Sequence, residues 1–114
     1  MAQSDIPIIN FTISANARRG FEVVRQSFNA HSSDPAGVLC IGWGRFTPHS
    51  APPFENVVVS FYGQSQRPEI ADAIQQIENL EIVFFATPRD HANFEGKMLD
   101  FEDDRGFYLR SEQK

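Results

Sequence analysis

The chain of 114 residues carries 41% apolar and 22% charged side chains with seven prolines and seven glycines, a composition that excludes a disordered, collagen-like or low-complexity segment. Its formal net charge is −5, and the skew lies in the C-terminal half: residues 1–54 hold four arginines against three acids, residues 55–114 six basic groups against twelve acids. That balance excludes the basic stripe of a nucleic-acid or anionic-membrane binder, the single cysteine, Cys40, excludes an intrachain disulfide, and no apolar run reaches the length of a membrane helix.

In chain order, Met1–Pro7 shows no basic or apolar leader, so a cytoplasmic protein is expected. Ile6–Thr12 is apolar and β-branched with Pro7 near its start, which suits an edge strand. Asn10-Phe11-Thr12 spells a glycosylation sequon, read as chance without an export signal. Ser14 has the chemistry of an N-cap, and Ala17, Phe21, Val24 and Phe28 follow at spacings of four, three and four, predicting an amphipathic helix over 15–30. Gly20 sits on the apolar face, where it costs roughly 1 kcal/mol of helix propensity; close approach to a sheet, or neutral drift, accounts for it equally well. Arg18, Glu22 and Arg25 read as ordinary surface pairs at helical spacing.

Residues 32–37 form a turn cluster. Val38–Trp43 is apolar on both alternating sets and reads as a strand covered on both faces, with Cys40 an inert small apolar side chain inside it. Residues 44–56, with three prolines, read as a long loop joining it to the β-prone run Val57–Tyr62. Residues 68–80 fit either a helix or a strand; Ile70, Ala73 (or Ile74), Ile77 and Leu80 recur at helical spacing behind Pro68, which favours a short helix. Residues 81–86 read as another buried strand with Phe84 and Phe85 facing opposite ways, and 87–96 as a turn-rich connection. Residues 97–102 and 106–110 flank Asp103-Asp104-Arg105-Gly106 as a hairpin. The expected fold class is mainly β with one or two helices, an α+β single domain over 1–114.

From Glu78 onward the order Glu-Asn-Leu-Glu-Ile-Val-Phe-Phe-Ala, a polar turn, Phe94-Glu95-Gly96-Lys97-Met98-Leu99-Asp100-Phe101, acids, then Gly106-Phe107-Tyr108-Leu109 resembles the C-terminal half of the HesB/IscA-like domain, the A-type iron–sulfur carriers. Ile13-Ser14-Ala15, the helix after it and Gly37-Val38-Leu39 are similar to that family's N-terminal order; the match spans roughly residues 8–110, and only 94–109 are at all specific. The resemblance implies a small β-sandwich or pseudo-barrel capped by an amphipathic helix. It does not bring the family's chemistry. Family members carry a cysteine just after the central strand and a Cys-Gly-Cys near the C-terminus. Here residues 44–53 hold no thiol, the chain after Leu109 has none, and Cys40 matches neither position. No iron–sulfur or other cofactor is therefore expected.

Catalytic motifs such as G-x-S-x-G, a P-loop, G-x-G-x-x-G or H-E-x-x-H are absent, so no catalytic residue and no metal ligand is assigned. Asp90-His91 with His31 and His49 lacks ligand spacing, and Asp100, Glu102, Asp103 and Asp104 lack the periodicity of a cation loop; Asp100 is expected to accept backbone N–H groups in the Gly96 turn. The most suggestive group is Trp43, Arg45, Phe46 and His49 together with the proline-rich loop, a candidate binding or oligomer surface, although Trp43 fits the core equally well. The leading functional expectation is a non-catalytic binding or assembly module, a homo-oligomer or bound to a protein partner rather than to nucleic acid or membrane. The alternative is a metal carrier or small enzyme with hard ligands, His49, His91 and the Asp100–Asp104 patch, in place of thiols. A third is a structural subunit pairing through an exposed strand edge.

Overall fold

The structure is a computed structural model and describes residues 8–111. It is an α+β fold of seven strands in two sheets with three helices. Strand β1 (Thr12–Ile13) is followed by α1 (Ala15–His31), β2 (Ala36–Phe46), β3 (Phe54–Gly63), a crossing that contains α2 (Arg67–Ile70), β4 (Ile74–Ile77), β5 (Leu80–Phe85), α3 (Pro88–Phe94), β6 (Lys97–Glu102) and β7 (Gly106–Ser111). The smaller sheet has the order β1-β6-β7 and the larger β3-β2-β5-β4. Both are mixed: β1 runs parallel to β6 and β2 parallel to β5, while β2/β3, β4/β5 and β6/β7 are antiparallel.

Helix α1 forms where its apolar spacing and cap predict. The Ser14 hydroxyl accepts from the Ala17 N–H at 3.0 Å, and Ala17, Gly20 and Phe21 are buried while Val24 and Phe28 pack partly against the core. The helix lies against both sheets, with Phe21 stacked on Phe107 at 5.6 Å. Gly20 is the point of closest approach. A Cβ there would stand 2.6 Å from Cγ and Cδ1 of Phe101 and 2.8 Å from Cζ of Phe107. Gly20→Ala would recover about 1 kcal/mol of helix propensity, but overpacking two core rings costs about 1–3 kcal/mol. The expected result is a net loss: a lower denaturation midpoint at unchanged m-value. A stabilised alanine variant would show that the helix can back away.

Several sequence expectations need correction. Of the strand expected over Ile6–Thr12, Ile6 and Pro7 lie outside the described residues, and pairing is confined to Thr12–Ile13; Ile8–Phe11 is irregular, with the Ile9 N–H on the Gln75 side chain at 3.1 Å. The loop expected over 44–56 shrinks to residues 47–53, because β2 and β3 stay in register out to Phe46 opposite Phe54. Residues 68–80 are not one helix. After a single helical turn at Arg67–Ile70 and a 3-10 turn at Ala71–Ala73, Ile74–Ile77 becomes an edge strand antiparallel to β5. Ile77 and Leu80 thus meet across a two-residue turn, Glu78-Asn79, with both φ values positive. The connection expected over 87–96 contains α3, started by Thr87 as N-cap with Pro88 behind it. The 97–110 hairpin forms as expected, with Gly106 at φ +86° beside its tip.

The core lies where the two sheets and α1 meet. Phe11, Phe84 and Phe94 pack ring against ring at 4.8–5.1 Å, with Leu39, Ile41, Ile82 and Leu99 around them. No helix among the described residues is long and apolar enough to cross a membrane.

Candidate functional site

Strand alternation splits the predicted group of Trp43, Arg45, Phe46 and His49. Trp43 is a strand residue as expected, Arg45 and Phe46 are strand residues and not loop residues, and only His49 is on the exposed 47–53 connection. Trp43 and Arg45 point toward the core side. The Trp43 ring meets Phe94 edge-on at 5.7 Å, and its indole N–H donates to Glu55 Oε1 at 2.9 Å. Arg45 donates to Glu55 Oε2 at 3.1 Å and reaches Asp90 Oδ1 at 3.5 Å, with Arg89 3.8 Å from Glu55. The Trp43 hydrogen bond, with help from Arg45 and Arg89, holds the Glu55 carboxyl below the ordinary carboxylate range. Asp90, 5% exposed in the first turn of α3, is therefore a structural partner of Arg45. This cluster straps the β2–β3 hairpin to α3.

Phe46 alternates to the opposite face of the sheet and belongs to a different feature. Its ring stacks on Phe54 at 5.1 Å, and the two are 39% and 50% exposed. Register places Gly42 beside Phe85 on β5 and opposite Val58 on β3, with Cys40 opposite Ser60. Phe85 is 69% exposed, although β5 was expected to be covered on both faces. Both glycines lie within β2, where close packing leaves no room for a side chain: a Cβ on Gly42 would lie 2.8 Å from the Phe85 carbonyl oxygen, and one on Gly44 2.7 Å from Val58 Cγ2 and 3.1 Å from the Phe46 ring. A shallow hollow of about 350 Å³ results, lined by Cys40, Gly42, Val58, Ser60, Tyr62 and Phe85. Val38 and Val83 share this face but are buried at the end where the residue 64–73 crossing packs on β2. The outward positions from Phe85 across Gly42 and Gly44 to Phe54 carry no charged side chain.

Cys40 is half-buried in that hollow rather than inside the core. Burial pushes its thiol up, against smaller opposing hydrogen bonds with Tyr62 and Ser60, so it stays protonated at neutral pH and is a poor nucleophile.

The remaining candidates resolve into structural roles. His91 Nε2 lies 2.8 Å from the Ile8 carbonyl oxygen, to which it can only donate, leaving Nδ1 to accept from the Asn10 amide at 3.5 Å. The Asn10 amide also donates to the His91 carbonyl, so the sequon asparagine is spent internally. His31 bonds the Ser27 carbonyl on its own helix. Among the described residues, no three His, Cys, Asp or Glu side chains are grouped to hold a metal ion. Arg18 pairs with Glu78 and Arg19 with Asp103, so of the expected pairs along α1 only Glu22–Arg25 forms.

The acidic patch divides. Glu102, Asp103 and Asp104 are exposed at the hairpin tip, whereas Asp100 is 4% exposed. Its Oδ1 accepts from the Ser14 hydroxyl at 2.7 Å and the Phe101 N–H at 2.9 Å, and its Oδ2 from Arg110 at 3.0 Å and Tyr108 at 3.3 Å. Burial alone would push this carboxyl up, but the four hydrogen bonds outweigh it and hold the carboxyl below its ordinary value. The backbone N–H it accepts is that of Phe101, not one in the Gly96 turn, where Gly96 N–H bonds Asn10 O at 3.3 Å. Asp100 also supplies the negative charge at the start of α1, whose own first turn has no acid.

In comparisons with known proteins, no family model, curated protein or solved structure matches the chain.

Proposed function

We propose that the protein is a non-catalytic assembly module of the cytoplasm, on a HesB/IscA-like scaffold without the family's metal-binding thiols, and that it works by self-association through the outer face of its larger sheet. The order of residues 94–109 supports the scaffold. The observation that carries the mode of action is the uncharged stretch of the outer face on which Phe46, Phe54 and Phe85 stand exposed. Monomers rarely leave contiguous apolar surface of this kind open. The occupant that suits it best is a second copy. Each chain carries a net charge of −5 and so repels another from most directions, yet this face can be buried without stranding an unpaired charge. It also offers both a knob, Phe85, and a hollow floored by Gly42, so a twofold arrangement seats each Phe85 in the other copy's hollow.

Sedimentation velocity over a concentration series tests this. The native chain is expected to dimerise. Phe85→Lys is expected to weaken the dimer at least tenfold while leaving the unfolding midpoint within about 2 °C, because an exposed side chain contributes little to the fold. A native chain that stays monomeric at 100 µM would overturn the proposal, as would a Phe85→Lys dimer of unchanged affinity.

A further inference from the structure

On the other side of the larger sheet, between the start of β2, the β4–β5 turn and α1, lies a groove of about 550 Å³. Its floor is the buried Phe21, Leu39 and Phe61, extended by Leu80. A volume of this size over an apolar floor is in the range that holds small organic ligands. The charges at its mouth are unevenly matched. Arg18 is engaged by both the side chain and the carbonyl of Glu78, at 2.6 and 3.2 Å, which also fastens the positive-φ turn at the groove's edge. Glu81 is held two-pronged by Arg67. Arg25 is held only through Nε, by a largely exposed Glu22 at 3.4 Å, and its guanidinium lies 5.0 Å over the Phe61 ring. Both terminal amino groups of Arg25 therefore have no partner among the described residues, and they stand directly above the apolar floor.

We propose that this groove binds a small amphipathic carboxylate, its acid on the terminal amino groups of Arg25 and its apolar body on Leu39, Phe61 and Leu80. A guanidinium edge takes a carboxylate in two parallel hydrogen bonds, and fixing it over a ring disperses the charge without solvating it fully. The ring below Arg25 also makes the site selective for a ligand that supplies both halves. A free inorganic anion would gain only the exposed ion pair, worth little in water, and a neutral apolar molecule would leave the guanidinium unsatisfied.

The site lies on the face away from the self-association surface, so the two tests separate. Octanoate and 1-octanol serve as probes, titrated by calorimetry and by amide NMR on the full chain. Octanoate is expected to bind saturably, with shifts confined to α1, β2 and the β4–β5 turn, and 1-octanol at least tenfold more weakly. Arg25→Gln is expected to weaken octanoate at least tenfold with the fold intact, and Arg25→Lys to fall between, since it keeps charge but not the fork. In Phe85→Lys the octanoate affinity is expected to be unchanged. Absence of saturable binding, equal affinity for the two probes, or an unaffected Arg25→Gln variant would overturn the assignment. Loss of octanoate binding in Phe85→Lys would place the ligand on the outer sheet face and overturn it as well.

Discussion

Replacing Phe94 by alanine is expected to be the most damaging single truncation in the molecule, lowering stability by about 3–5 kcal/mol. Phe94 is fully buried at the end of α3 and touches three aromatic rings: Phe84 at 4.8 Å, Phe11 at 5.1 Å and Trp43 at 5.7 Å. These come from three different parts of the chain, so no local shift can close the cavity, and each lost edge contact adds to the transfer term. Domains of this size are typically stable by about 5–15 kcal/mol. The variant should therefore melt about 10–20 °C below the native chain. Phe94→Leu, which keeps most of the volume, is expected to lose under about 2 kcal/mol and provides a readable value if the alanine variant does not fold. Phe85→Ala is the matched control on the neighbouring strand, since the same change at a 69% exposed ring is expected to stay within about 0.5 kcal/mol. An alanine variant at 94 within 1 kcal/mol of native would mean that the aromatic hub does not hold α3 to the sheets.

The second large effect is expected at Asp100. Asp100→Asn preserves the shape and can still accept from Ser14 and the Phe101 N–H, but it turns an amide NH₂ toward Arg110, which can only donate; the Tyr108 hydroxyl, 3.1 Å from Glu102 Oε2, can donate there and accept the amide instead. Hydrogen bonds to a charged group contribute about 1.5–3 kcal/mol each, and half-exposed Arg110 recovers part of the loss from water. A net destabilisation of about 2–3 kcal/mol at neutral pH is expected. The sign with pH follows from the direction of the shift. A carboxyl lowered by folding stabilises the native state above its unfolded value, close to 3.8, and loses that contribution as pH falls through the folded value. The gap between native and Asp100→Asn should thus be constant at pH 6–7 and close progressively below about pH 4. Thermal melts of both proteins at each pH remove the contribution of the other acids, which they share. A gap of equal size at pH 3 and pH 7 would show that the carboxylate's charge contributes nothing to holding α1 on the smaller sheet.

Local patterns carried most of the elements. The 4-3-4 spacing and Ser14 define α1 because an amphipathic helix of seventeen residues repeats its signal over several turns. The central strand and the C-terminal hairpin are equally plain. What failed was short or depended on partners. Seven-residue α3 has no periodicity to show, although Thr87-Pro88 with Asp90 at the third helical position was a readable start signal. Ile74 and Ile77 fit a helix and an edge strand alike; pairing with β5, which α1 and the larger sheet make available, chose the strand.

The candidate surfaces divide on the same line. Residue types alone established the acidic balance, the class of fold and the opposed directions of Phe84 and Phe85, because these follow from composition and from the two-residue period of a strand. Only the packed chain decided which face remains open. Trp43 and Arg45 were spent on Phe94, Glu55 and Asp90, whereas Phe46, Phe54 and Phe85 came together from three strands over Gly42 and Gly44. Whether a side chain is covered depends on what crosses it from elsewhere in the chain, and the crossing at residues 64–73 covers only the Val38 and Val83 end of that face.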